Sequence, residues 1–316
     1  MNLKTLSLFF VLLQTFSCKG QTETSTEQSL QQVEVKSQLF DADALLERVR
    51  FLSLDSLEGR RTGEKGGLIA RDYVVSQFKK NGISPLLSEY TQPFSFEGRR
   101  DKKTYEGANV LGLLKGTEHP EKHIVISAHY DHVGVNNGEI YNGADDDASG
   151  TSAIIAIAEY LKNNPPKHSV IIAAFDAEEM GLRGAAHFLE ANTIPKEQIA
   201  LDINLDMVGR NDNNELYVVG TNLYKQLQPA ITNLELPENF KLSVGHDGLD
   251  GKDNWVSSSD HGPFHRQEIP FLYFGVEDHK DYHKPTDDFE FIQPEFYAKA
   301  VAVIISVLER IDDLSF

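Results

Sequence analysis

Residues 169–179 read Ser-Val-Ile-Ile-Ala-Ala-Phe-Asp-Ala-Glu-Glu, so an unbroken apolar run ends directly in carboxylates. A run with no polar alternation is typical of a strand that a parallel sheet buries on both faces. Ligands of open α/β sheets gather at the carboxyl ends of such strands. The stretch therefore predicts an α/β protein with a functional site beside Glu178 and Glu179.

The alternation of apolar strands and helices continues on both sides of this stretch. Strands are predicted at 109–114, 123–129, 169–175, 199–205, 216–219 and 270–274. Helices are predicted at 148–161, 185–191 and 296–311, and helical patterns lie within 41–81. This order predicts a single α/β domain in which helices flank both faces of a mostly parallel central sheet.

The N-terminus has the features of an exported protein. Residues 1–17 place one Lys before an apolar run, which is typical of a signal peptide. Cys18, the only cysteine of the chain, resembles the lipid-attachment cysteine of bacterial lipoproteins. Residues 18–39 are mostly polar and predict a flexible tether, so the folded domain is expected at 40–316. We expect a lipoprotein in the periplasm or on the cell surface, or otherwise a secreted protein.

The charge balance excludes one class of partner. With 30 basic and 48 acidic side chains, the formal net charge is −18. Nucleic-acid binding requires a basic surface, so no nucleic-acid partner is expected. Membrane contact is expected only through a lipid on Cys18.

Five short patches carry histidines and carboxylates, each at or just after the end of an apolar run or in a loop. They contain His129 and Asp131, then 145–147, then Glu178 and Glu179, then Asp206, and finally Tyr282 and His283. Three consecutive aspartates repel one another unless a cation neutralises them. Asp131 lies near enough to His129 to hold the second ring nitrogen, as metal-bound histidines require. Of two adjacent glutamates, one can bind a metal while the other moves a proton.

This set of patches resembles the co-catalytic di-zinc aminopeptidases, the family of bacterial leucyl aminopeptidases and glutamate carboxypeptidase-like enzymes. The similarity covers residues 45–316 and includes the early loop Leu-Glu-Gly-Arg-Arg-Thr-Gly at 57–63. It implies a zinc exopeptidase fold, two Zn²⁺ per chain and peptide substrates with a free N-terminus.

The resemblance also implies a role for each residue. His129 and Asp206 would bind one zinc, Glu179 and His283 would bind the other, and Asp145 would bridge both. Glu178 would be the general base, and Asp131 would orient His129. The Asp145–Asp146 peptide bond would be cis. Tyr282 and His261, in the Ser-Asp-His-Gly-Pro-Phe stretch at 259–264, are expected to line the substrate site.

Three other functions remain open at this point. A glutaminyl cyclase-like aminoacyltransferase would use one zinc, so a metal count separates it from the peptidase. A carboxypeptidase would need a cationic pocket, which Arg183 or Arg210 could supply. A non-catalytic binding module of the same superfamily would have lost ligands, whereas this chain retains the whole set.

Overall fold

Four parallel strands form the centre of the sheet and end at the same edge. The structure is a computed structural model that describes residues 39–99 and 101–316. The four strands are, in spatial order, β7 (His168–Phe175), β4 (His119–His129), β8 (Ile199–Leu205) and β11 (Phe271–Gly275). Their register places His129 beside Phe175 and Leu205 beside Phe274. The loops that follow these strands therefore meet above one edge of the sheet.

Strands outside this centre make the sheet mixed. Next to β7 lies the antiparallel β3 (Thr104–Leu114), which also pairs with β1 (Ser84–Pro85) and β2 (Thr91–Glu97). On the other side β9 (Glu215–Val219) runs antiparallel to β11, and β10 (Lys241–Val244) runs parallel to β9. A separate hairpin joins β5 (Gly134–Asn136) to β6 (Glu139–Tyr141). The α/β class with flanking helices is confirmed, whereas the sheet is mixed: its parallel pairs are those of the four central strands and that of β9 with β10.

Helices pack against the sheet through two separate apolar clusters. The helices are α1 (Ala42–Leu52), α2 (Lys65–Lys80), α3 (Gly150–Asn163), α4 (Arg183–Glu190), α5 (Gln228–Ile231), α6 (His261–Arg266) and α7 (Pro294–Asp312). On β4, Ile124 and Ile126 face the larger cluster, which contains α1, α2, α3 and α7, while Val125 faces the cluster of α4 and α6. Successive residues of a strand point to opposite faces, so a continuous apolar run is buried on both.

Local signals explain where the first and last helices begin. The Asp41 carboxylate accepts a hydrogen bond of 3.0 Å from the Ala44 backbone and caps α1. Pro294 occupies the first turn of α7, where its missing N–H removes no helical hydrogen bond.

Several predictions concern residues outside the described part of the chain. The signal peptide at 1–17, Cys18 and nearly all of the tether at 18–39 belong to this group. Residues Leu39–Phe316 form one compact unit. Across the described residues we find no helix with the length and apolarity that a membrane crossing requires.

Candidate metal centre

The carboxyl ends of the central strands and the turn before α3 bring together five histidine and carboxylate side chains that could bind metal. His129 ends β4, Asp146 lies in the distorted turn before α3, and Glu179 follows β7. Asp206 directly follows β8, and His283 lies in the loop between β11 and α7. Residues far apart in sequence meet here because the strands are parallel and end together.

The first group of ligands surrounds one side of Asp146. Nε2 of His129 lies 3.3 Å from Oδ1 of Asp146 and 3.7 Å from Oδ2 of Asp206. These three residues form a set that could hold a metal ion. All three are buried.

The second group uses the other oxygen of Asp146. Nε2 of His283 lies 3.1 Å from Oδ2 of Asp146 and 3.3 Å from Oε1 of Glu179. Nδ1 of His132 lies 2.8 Å from the same Oε1. His132, Asp146 and Glu179 make up the second set that could hold a metal ion.

These distances fit two tetrahedral ions that share one carboxylate. With zinc–ligand bonds of about 2.0 Å, two ligand atoms of a tetrahedral site lie roughly 3.3 Å apart. The pairs around His129 and His283 span 3.1 to 3.7 Å. Oδ1 of Asp146 faces one group and Oδ2 faces the other, so Asp146 has the position of a bridging ligand.

The position of Asp145 corrects the expected bridge. Its Oδ1 accepts a hydrogen bond of 2.7 Å from the Gly209 backbone, and its Oδ2 lies 3.2 Å from Nε2 of His279. Because these partners already occupy the Asp145 carboxylate, it does not reach both histidine groups. The cis peptide bond joins Asp146 to Asp147, which is one residue later than predicted.

Neighbouring carboxylates fix the turn that carries Asp146. Asp287 accepts the backbone N–H groups of Asp145 and Asp146 at 3.0 Å each. Asp147 accepts from the His129 backbone at 3.1 Å and from the Gly150 backbone at 2.9 Å. Burial, and next to it Asp145, raise the pKa of Asp287 to about 6. The sequence pattern did not indicate a role for Asp287 or Asp147. Both carboxylates accept N–H groups that are buried in this turn and would otherwise lack a partner.

The early loop at 57–63 reaches this turn through Arg60. The buried guanidinium donates to the carbonyl oxygens of Tyr130 at 2.9 Å and Gly143 at 3.0 Å. It also donates to Leu52 at 2.8 Å and to Asn142. Arg60 therefore joins the segment that directly follows His129 to the turn that carries Asp146.

Asp131 connects the first histidine with the glutamate loop. Nδ1 of His129 lies 3.0 Å from the backbone oxygen of Asp131 and 3.7 Å from its Oδ1. The same Oδ1 accepts the Glu178 backbone N–H at 3.0 Å. The backbone carbonyl is thus the nearer partner of the ring, and the carboxylate holds the loop of Glu178.

The two adjacent glutamates lie in different electrostatic surroundings. Burial raises the pKa of Glu178, and Glu179 and Asp260 raise it further against the lowering effect of His129. Burial and Asp146 also oppose the ionisation of Glu179, but the imidazoles of His132 and His283 hold its pKa at about 2. The pair therefore offers one permanent anion and one group that is more readily protonated.

An open cavity of about 290 Å³ adjoins the cluster. Its walls include Glu178, Leu182, Met207, Trp255, Tyr273 and Tyr282. Tyr282 stacks on His283 with the ring centroids 4.1 Å apart, and burial raises the pKa of its hydroxyl. Tyr282 therefore lines the cavity directly beside His283.

The wall of the cavity does not contain His261, nor either of the two arginines, Arg183 and Arg210, that could have bound a substrate carboxylate. His261 is buried, with Nε2 2.7 Å from the Trp255 carbonyl oxygen, and it does not line the cavity. Arg210 forms a buried ion pair of 2.9 Å with Asp281. Arg183 lies over the ring of Phe96 at 5.4 Å. The substrate-binding prediction for His261 is wrong, because backbone and side-chain partners under α6 hold both ring nitrogens.

Two solved structures have the same fold. The zinc aminopeptidase BSAP from Bacillus subtilis covers 85% of this chain and 95% of its own, with a TM-score of 0.67 and 18% identity. A glutaminyl cyclase from Porphyromonas gingivalis covers 86% of this chain and 98% of its own, with a TM-score of 0.68 and 19% identity. At these identities the similarity shows the fold alone.

Sequence comparison identifies the family to which the chain belongs. Aminopeptidase YwaD of Bacillus subtilis is 31% identical over 199 residues, which are 59% of this chain and 41% of the relative. The chain thus spans less than half the length of that relative. A sequence model described as peptidase family M28 matches residues 109–308, which include most strands of the sheet and every ligand of both metal groups. The chain therefore belongs to peptidase family M28.

Proposed function

We propose that this protein is a zinc-dependent aminopeptidase that removes N-terminal residues from peptides. One observation carries the proposal: the two oxygens of Asp146 face two separate ligand groups, one centred on His129 and one on His283. Zinc suits both groups, because imidazole and carboxylate ligands at tetrahedral distances are its ordinary environment. Bound there, a pair of zinc ions polarises the scissile carbonyl and makes a water molecule acidic at neutral pH.

The charge of the cluster supports metal binding. Hydrogen bonding with Asp146 and Glu179 raises the pKa of His283 to about 10. A site that holds a proton so tightly on an imidazole attracts positive charge strongly, and divalent cations compete for the same lone pair. Buried carboxylates gathered in this number need cations to balance them.

Glu178 has the position of the general base. It lines the cavity, its backbone is fixed by Asp131, and it lies next to the ligand Glu179. In the proposed reaction its carboxylate takes a proton from the attacking water and delivers it to the leaving amine. The Tyr282 hydroxyl would donate a hydrogen bond to the oxyanion that develops on the scissile carbonyl.

The cavity favours a free amine over a free carboxylate at the bound end of the peptide. Among the described residues that line it, the carboxylates are Asp146, Glu178, Glu179, Asp206 and Asp278, and there is no Lys or Arg. A substrate ammonium is attracted by this surface, whereas a terminal carboxylate is repelled. The carboxypeptidase alternative loses its support, because Arg183 and Arg210 have partners outside the cavity.

Hydrolysis of matched substrates tests the activity. Leucine p-nitroanilide with a free amine should be cleaved after zinc loading, and its N-acetyl derivative should not. A peptide with an amidated C-terminus should be cleaved as well as the free acid. Cleavage of the acetylated compound, or dependence on a free C-terminus, would contradict the proposal. Cyclisation of N-terminal glutamine without peptide cleavage would favour the glutaminyl cyclase alternative.

We further propose that the protein is exported and anchored by a lipid on Cys18. The proposal rests on the apolar segment at 1–17 and on the single cysteine that follows it. Cells that express the full chain should incorporate labelled palmitate into it, and Cys18→Ser should abolish the labelling. Equal labelling of both forms would contradict lipid attachment at Cys18.

A further inference from the structure

His132 is a member of the second candidate set, together with Asp146 and Glu179. Its side chain is fully buried, and Nδ1 lies 2.8 Å from Oε1 of Glu179. Nδ1 lies 3.7 Å from Oδ2 of Asp146, and the ring approaches that of His283 at 5.9 Å between centroids. His132 is therefore packed directly behind the ligands of the second site.

The ring of His132 has little freedom to turn away. A Cβ atom on Gly143 would lie 2.5 Å from Cδ2 of His132, so the ring rests against the bare backbone of this glycine. Gly143 has a φ of 56°, a conformation that suits glycine and closes the turn before Asp146. The loop that carries Asp146 thus also holds the imidazole against Glu179.

The distances separate a supporting role from direct ligation. Two ligand atoms of a tetrahedral zinc lie about 3.3 Å apart, as His283 does from Glu179 at 3.3 Å. The 2.8 Å between Nδ1 of His132 and Oε1 of Glu179 is a direct contact, shorter than the spacing of two ligand atoms on one zinc. Among the described residues, neither ring nitrogen of His132 forms a hydrogen bond of full geometry, and the same holds for Oε1 of Glu179.

We propose that His132 is a positioning residue of the second metal site, which holds Oε1 of Glu179 toward His283 through Nδ1. The inference rests on the proposed function, because it gives this residue a task only in a protein that binds two metal ions. Partners that orient a metal ligand in this way commonly change metal affinity by about 10- to 100-fold. The first site, around His129, does not contain Glu179 and should keep its affinity.

Metal titration of the intact domain tests the inference independently of catalysis. Apo-protein of the wild type and of His132→Ala is titrated with zinc, and binding is followed by calorimetry. We expect two sites in the wild type, and in H132A a second site about 10- to 100-fold weaker beside an unchanged first site. His168→Ala is the matched control, since His168 is also buried and lies 2.9 Å from a carboxylate, that of Asp312, at the start of β7.

A conservative variant distinguishes positioning from packing or ligation. The amide nitrogen of an asparagine side chain can occupy the place of Nδ1, so His132→Asn should restore most of the second-site affinity. If H132A binds the second ion as tightly as the wild type, or if H132N is as weak as H132A, the inference is overturned. A wild type that binds fewer than two ions would instead overturn the proposed function, and the inference with it.

Discussion

The side chains of Asp145 and Asp146 face different parts of the molecule although the residues are adjacent. Asp145 accepts a hydrogen bond from Gly209 at 2.7 Å, whereas Asp146 lies 3.3 Å from His129. Only Asp146 also reaches the second histidine group, where its Oδ2 lies 3.1 Å from His283. Of the three consecutive aspartates, Asp146 thus has the position of a metal ligand, and the other two support the turn.

The bridging position of Asp146 can be tested with paired variants. Asp146→Asn should reduce bound zinc from about two ions per chain to less than one, because both groups lose a charged ligand. Asp145→Asn should retain both ions, since its carboxylate binds Gly209 and His279. Elemental analysis of the two purified proteins measures the difference. Loss of both ions in D145N, with retention in D146N, would return the bridge to Asp145.

Replacement of Glu178 should separate catalysis from metal binding. Glu178→Gln keeps the size of the side chain but cannot accept a proton, so kcat should fall by about 100-fold or more. Metal content should remain that of the wild type, because the ligands of both groups are unchanged. Steady-state kinetics with leucine p-nitroanilide gives the first value and elemental analysis the second. A variant that retains full activity would show that another group accepts the proton.

Arg60 should matter for stability far more than its neighbour. Arg60→Lys replaces a planar guanidinium that donates to several buried carbonyl oxygens with an ammonium that reaches fewer of them. The free energy of unfolding should fall by about 3 kcal/mol. Arg61→Lys is the control, since Arg61 is partly exposed and donates to the Val133 carbonyl at 3.0 Å. Equal stability of R60K and R61K in urea unfolding would refute the structural role of Arg60.

His261 should make stability depend on pH in a defined window. Burial lowers its pKa to about 3, below the unfolded value of about 6.5. The unfolded chain therefore binds the proton first, and stability present above pH 6.5 is lost as the pH falls toward 3. His261→Gln does not titrate, so the advantage of the wild type over this variant should shrink by about 1 kcal/mol per pH unit below 6.5. An advantage that stays constant from pH 7 to pH 4 would contradict the buried neutral state.

Much of the site was predictable, because parallel strands end at the same edge of the sheet and the residues that follow them therefore meet there. The apolar runs that end at His129, Phe175 and Leu205 predicted the central strands and the place of the cluster. The choice between Asp145 and Asp146 was not predictable, since adjacent identical side chains differ only through backbone dihedral angles. At Asp147 the backbone dihedral angles are not helical, with φ −127° and ψ 43°. Amino-acid composition does not predict such angles.

Other features depend on contacts between distant segments. Arg60 stands in the quoted loop at 57–63, but its partners appear only when this loop packs against the turn before α3. The contact of His132 with Glu179 likewise joins segments that are distant in sequence. His261 has a motif that suggested the substrate site, yet tertiary packing buries its ring against Phe271 and Trp255. Short edge strands such as β10 were not predicted, because four residues, two exposed and two half-buried, give no clear periodicity.

Zinc reconstitution of the apo-enzyme tests the central claim most directly. The metal-free protein would be titrated with zinc while hydrolysis of leucine p-nitroanilide is recorded after each addition. Two ligand groups that share Asp146 predict that full activity requires about two equivalents per chain, and that the chelated protein is inactive. Full activity at one equivalent, or undiminished activity in the metal-free protein, would contradict a two-metal aminopeptidase.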